Sequence, residues 1–115
     1  MGFKKQNNIL FEGIVPKASS VSNGMINIPL VFTKEKGSIH GFVPGFSIKD
    51  VIATNLQDCK NLLNLYVKEE VLKRIENQDS FPFFPSDDEI YNDFDNVIKI
   101  IRINYTIGSQ TYFQE

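Results

Sequence analysis

Five carboxylates crowd into one stretch of this chain. Asp87, Asp88, Glu89, Asp93 and Asp95 fall within nine residues, with no Lys or Arg between them. Acids so concentrated can hold metal ions, dock a basic surface, or sit in water on a capped turn. A two-metal nuclease site needs carboxylates that converge from different strands on ions about 4 Å apart. Here Glu35 lies in a turn and Asp50 stands alone, so nothing on the early strands meets the cluster. Neither catalysis nor a bound metal or other cofactor is expected. Asp87, Asp88, Glu89 and Asp93 instead suit a partner-binding surface, because an acidic patch steers a basic protein toward itself. The solvated turn remains open beside that reading. Ser86-Asp87-Asp88-Glu89 spells a capping box, and acids are at home at the positive end of a helix.

The remaining reactive side chains carry weaker signals. His40 is the only histidine. It falls out of phase with Ile39 on a strand, with no base or nucleophile placed to work with it, so it reads as a surface residue. Cys59, the only cysteine, sits on an apolar helical stripe and reads as a buried, inert thiol. It excludes an internal disulfide and a Cys-based zinc site, and it suits a reducing, cytoplasmic setting. Phe81, Phe83 and Phe84 have no basic residues interleaved as a base-stacking surface needs, so they read as plugs that pack a loop onto the core.

Composition agrees. The 115 residues suit one domain, and ten Phe and four Tyr can fill a core. A formal charge of -2 argues against a chain whose main task is to grip nucleic acid. No signal peptide and no membrane span are read from the sequence.

Those side chains need a scaffold. Residues 1–25 read as an N-terminal extension, with a short strand among Ile9, Phe11 and Gly13-Ile14-Val15 that Pro16 ends, then a loop from Lys17 to Gly24. Ile26, Ile28, Leu30 and Phe32 alternate with Asn27, Pro29, Val31 and Thr33, which predicts a strand, with Pro29 at an edge or bulge. Lys34 to Gly37 is a turn, and Ile39, Phe42 and Val43 form the second strand of a hairpin. Pro44-Gly45 closes it, and a third strand follows around Ile48 to Ala53. Thr54 as N-cap, with Gln57 reaching back, opens a helix through Leu56, Cys59, Leu63, Tyr66 and Val67. The pattern continues through Val71, Leu72 and Ile75, with a break near Glu69. The segment from Ser86 to about Phe94 makes a short turn. Val97 to Ile107 is a β-branched strand, apolar on both faces in its first half and therefore read as central. Residues 108–115 read as a tail. The expected fold class is α+β: a small antiparallel-rich sheet, β-β-β-α-β, with one main helix packed on one face.

This order resembles the HicB antitoxin family, whose domain is a partial ribonuclease-H-like fold. The matching pieces are Phe42-Val43-Pro44-Gly45-Phe46 at the hairpin's end, the helix from Leu56 through Tyr66, and Pro82 to Pro85-Ser86 before the closing strand. They span residues 26–107. The resemblance implies a non-catalytic toxin–antitoxin component that neutralises a basic ribonuclease toxin of the HicA type by covering its RNA face. The same resemblance allows an alternative, an inhibitor recruited against another nucleic-acid-processing machine, for example on a phage or mobile element. Many members add a C-terminal DNA-binding module. Only eight residues follow Ile107, so direct DNA binding is not expected. The family's Gly-Asp or Gly-Thr lead into the helix is Ile52-Ala53-Thr54 here. Self-association as a homodimer or higher oligomer stays open, with sheet edges and the N-terminal segment as available surfaces.

Overall fold

The computed structural model describes residues 8–11, 21–22 and 25–107. Its strands are β1 (Asn8–Phe11), β2 (Val21–Ser22), β3 (Met25–Glu35), β4 (Ser38–Phe42), β5 (Val51–Ala53) and β6 (Val97–Ile107). Its helices are α1 (Leu56–Asn77) and α2 (Asp87–Asp93), and the fold is α+β. The strands form one sheet in the order β1-β6-β3-β4-β5, with β2 beside the start of β3. From β6 to β5 every neighbouring pair is antiparallel, while β1 lies parallel to β6, Asn8 opposite Asn104. The sheet therefore reaches into the first 25 residues. Val21–Ser22, in the stretch read as a loop, pairs with Ile26 and Met25. The Gly13–Val15 segment and the tail 108–115 lie outside the described residues.

β3 organises the rest. Ile26, Ile28, Leu30 and Phe32 point to one face and join the main core, as the alternation predicts. Pro29, Val31 and Thr33 point to the other face and are buried as well. Pro29 has a strand neighbour on the β6 side alone among the described residues, because β2 reaches only Ile26 and β4 begins its pairing at Val31. The missing N–H is therefore tolerated at a local edge. At the far end Lys36 and Gly37 both take positive φ, 49° and 82°, the type I′ turn that suits a two-residue hairpin.

The structure corrects the placement of β6. It has β3 along one side, but β1 covers the other only from Asn104 to Ile107. Although helices lie on both faces of the sheet, the apolar first half of β6 is only partly covered: Val97, Ile100 and Ile101 are half-buried and Ile98 is 46% exposed. A bulge sets Thr33 opposite Val97 after Phe32 opposite Lys99. The third strand is also shorter than expected, starting at Val51.

α1 is one unbroken 22-residue helix with no interruption at Glu69. Its N-cap is Asn55, whose side-chain oxygen accepts from the Asp58 amide at 2.8 Å, so the expected Thr54–Gln57 box does not form. Asn caps at least as well as Thr, and Gln57 donates to Asn61 instead. The buried row is Cys59, Leu63, Val67, Val71 and Ile75, one residue per turn. Helix and sheet approach closely at Gly41, where a β-carbon would meet the Cys59 Sγ at 2.9 Å and Leu63 and Phe32 at 3.2 Å. The Cys59 thiol faces the carbonyls of Ile39 and Val51, and burial pushes its pKa up. Tyr105, buried beneath the same helix, donates to the Asn64 side chain at 3.0 Å, and burial pushes its phenol up as well.

The link after α1 is tied back onto the hairpin. Gln78 closes the helix in the left-handed region. Arg74 pairs with Glu70, donates to the Ser80 carbonyl and lies over the Phe46 ring at 5.1 Å. Phe81 enters the core, and Phe84 meets Phe46 edge-on at 5.2 Å. Phe83 departs from the expected plug and stands 76% exposed.

Two predictions follow from this packing. Gly41→Ala overpacks the helix–sheet contact and lowers stability by about 1–3 kcal/mol, read as a lower denaturant midpoint with unchanged slope. A phenol whose pKa rises on folding contributes stability below its unfolded value, about pH 10, and that contribution fades as pH climbs through the folded value. Alkaline titration followed by tyrosine absorbance should show one phenol ionising last, together with unfolding. Tyr105→Phe should flatten that alkaline loss.

Candidate partner-binding surface

Local sequence builds α2. Ser86 is its N-cap: the hydroxyl accepts from the Glu89 amide at 3.2 Å, and the Glu89 carboxylate accepts from the Ser86 amide at 2.9 Å. The predicted capping box is therefore formed. Asp87, Asp88 and Glu89 occupy the first turn, where the helix dipole favours them. Ile90 is fully buried and belongs to no part of the core beneath α1. It anchors α2 to the opposite face of the sheet. Every other residue of α2 is exposed, so Asp87, Asp88, Glu89 and Asp93 are all presented to solvent on one short helix.

Arg102 on β6 holds that helix in place. Its guanidinium donates to the Asp87 carboxylate at 2.9 Å, to the Asn27 side chain at 2.8 Å and to the Pro85 carbonyl at 2.8 Å. Asn27 in turn donates to Asn104. The far end is held by Phe94, whose ring lies 4.9 Å from Phe42, and by the Asn96 carbonyl, which accepts from the Lys34 amide at 3.1 Å.

The four acids therefore differ in what is left of them. Asp87 is partly spent on Arg102, and Glu89 on the cap. Asp88 and Asp93 have no side-chain partner among the described residues and keep their full bonding capacity for a ligand. Asp95 is exposed just past the helix. The same segment offers two apolar protrusions, Phe83 and Tyr91, the latter 54% exposed. Sequence reading found the acids but assigned Phe83 to packing and gave Tyr91 no role. The available signal was the adjacent pair Ile90-Tyr91 on one short helix, two neighbours that cannot both face the sheet.

Elsewhere the surface offers less chemistry. His40 is half-buried on the face opposite α1, opposite Ile52 in the register. Among the described residues no three His, Cys, Asp or Glu side chains are grouped to hold a metal ion. A shallow cleft of about 250 Å³ between α1 and the loop before β5 is lined by Ser47, Lys49, Tyr66 and Glu69 among others, with acids and bases in balance. No described helix is long and apolar enough to cross a membrane.

Arg102→Ala should free α2 while leaving α1 intact. Hydrogen exchange should accelerate at the amides of Ile90 and Phe94, which bond within α2, and stay unchanged in the buried turns of α1. Uniform acceleration across both helices would show that Arg102 supports the whole fold instead. No family model, curated protein or solved structure matches this chain.

Proposed function

We propose that this chain is a non-catalytic HicB-like antitoxin that neutralises a basic ribonuclease toxin of the HicA type in the cytoplasm. One observation carries the reading: a seven-residue helix, capped and clamped to the sheet, whose acids all face outward. A basic surface that binds RNA phosphates is matched by carboxylates held in a fixed array, because little order is lost when they dock. Asp88 and Asp93 supply the free charge, and Asp87 and Glu89 add to the field. Phe83 and Tyr91 add rigid apolar contact of the kind that anchors interfaces.

Binding to a HicA-type ribonuclease, with loss of its RNA cleavage, is the expected result. Absence of both complex and inhibition would sink the reading. Asp88→Asn with Asp93→Asn leaves the cap and the Arg102 clamp untouched. At low salt that double variant should associate about tenfold more slowly, with the gap closing at high salt. A salt-independent loss would point to apolar contact as the main determinant.

A further inference from the structure

β6 keeps a free edge beside the acidic helix. β1 pairs with it only from Asn104 onward, so residues 97–103 have β3 on one side and no strand on the other among the described residues. The hairpin fixes which backbone groups that leaves. Glu35 and Ser38 flank the two-residue turn, and such a pair exchanges hydrogen bonds. Odd-numbered residues of β3 therefore bond toward β4, and even-numbered ones toward β6. The Lys34 amide, which donates to the Asn96 carbonyl, follows that parity. Leu30 and Phe32 accordingly bond to Ile101 and Lys99, their neighbours in the register. Ile100 and Arg102 then turn N–H and C=O outward, where no group among the described residues bonds to them.

An open row of backbone groups is completed by another extended strand. Charge decides whose. Ile100 and Arg102 lie opposite Val31 and Pro29, on the face of the sheet that α2 covers. Arg102 holds Asp87 there at 2.9 Å, so the acidic helix begins beside this edge. A second copy of β6, added antiparallel, would be related by an axis normal to the sheet. Its own α2 would come to the same face, and two helices rich in carboxylates would lie side by side. A strand with Lys or Arg on that face is attracted instead. On the other face the incoming side chains meet the half-buried Ile101, which packs against the main core, so apolar residues suit those positions.

We propose that a basic protein adds a strand to this edge of β6, with Lys or Arg turned toward α2 and apolar residues alternating toward α1. The inference rests on the reading of α2 as a surface for a basic protein, and it states how that protein is held. Main-chain bonds to Ile100 and Arg102 fix the strand, and the acids select its charge. Ile98, 46% exposed where the register shifts, adds apolar contact at one end. Such an edge reads the alternation of side chains as well as their total charge, because successive residues of a strand lie on opposite faces.

The test uses the full chain and three short peptides with blocked ends, each at up to about 1 mM. One alternates Val and Lys, one has the same residues with the lysines grouped together, and one alternates Val and Glu. The first should slow hydrogen exchange at the Ile100 and Arg102 amides about tenfold or more. The grouped peptide should bind about tenfold more weakly, and the Glu peptide should give no protection. Ile100→Pro removes an outward N–H and no bond to β3. It should keep the wild-type circular dichroism and lose most of the binding; if its circular dichroism changes, the peptide comparison on the wild-type chain decides alone. Equal binding of the two Lys peptides overturns the strand and leaves the attraction of α2 for basic chains standing, as does binding without protection at Ile100 and Arg102. Failure of every peptide to bind overturns the proposal, while the Asp88→Asn, Asp93→Asn variant judges the acidic surface separately. Protection of both amides without any peptide also overturns it, by showing that residues 1–7 or a second copy already fill the edge.

Discussion

Burial of β3 on both faces is the constraint on which the other elements depend. From Ile28 to Thr33 every side chain of that strand is buried. A strand so apolar cannot leave either face to water. One face receives α1 and the main core. The other needs its own cover, and Ile90, Phe94 and the Arg102 clamp bring α2 there. The acidic helix is thus the lid of the second face, and its position is dictated by what Pro29, Val31 and Thr33 require. This explains why so short a helix can be an ordered platform. Isolated helices of seven residues do not persist in water.

The parts of the fold legible in the sequence were those whose causes are local. The Ser86–Glu89 box needs only residues three apart. The Lys36–Gly37 turn is announced by its glycine, and β6 by its run of β-branched residues. Elements with distant causes were hidden. Val21–Ser22 becomes a strand only because the backbone of β3 passes alongside. Thr54 and Asn55 compete as caps one residue apart, and the geometry of the entering chain decides between them. Glu69 resembled a break because a charge interrupts an apolar run, yet it sits on the outward side of a continuous helix. The buried side of α1 was legible because Cys59, Leu63, Val67, Val71 and Ile75 recur at intervals of four, whereas Leu72, read into the same pattern, faces outward.

The candidate surface was legible in the same uneven way. Its acids are adjacent in sequence, so they could be named. Their unequal standing could not, because it rests on Arg102, which follows Asp87 by 15 residues and arrives on a different element. Strand parity places Arg102 on the face away from the main helix, but nothing in the chain says which acid it will meet. The exposure of Phe83 was equally hidden. Three aromatics between prolines invite one explanation for all, while Phe81 is buried in the core and Phe84 takes the space beside Phe46 and Gly45.

Cys59 gives this architecture a built-in gauge. The chain's single thiol lies where helix and sheet touch, against Gly41, with burial holding it in the unreactive protonated form. Oxidants and alkylating reagents in the surroundings meet no exposed sulfur on Cys59 while α1 stays seated. Modification therefore records separation of α1 from the sheet. An adduct once formed is too bulky for that site, so it would block reseating and turn a transient opening into a lasting one.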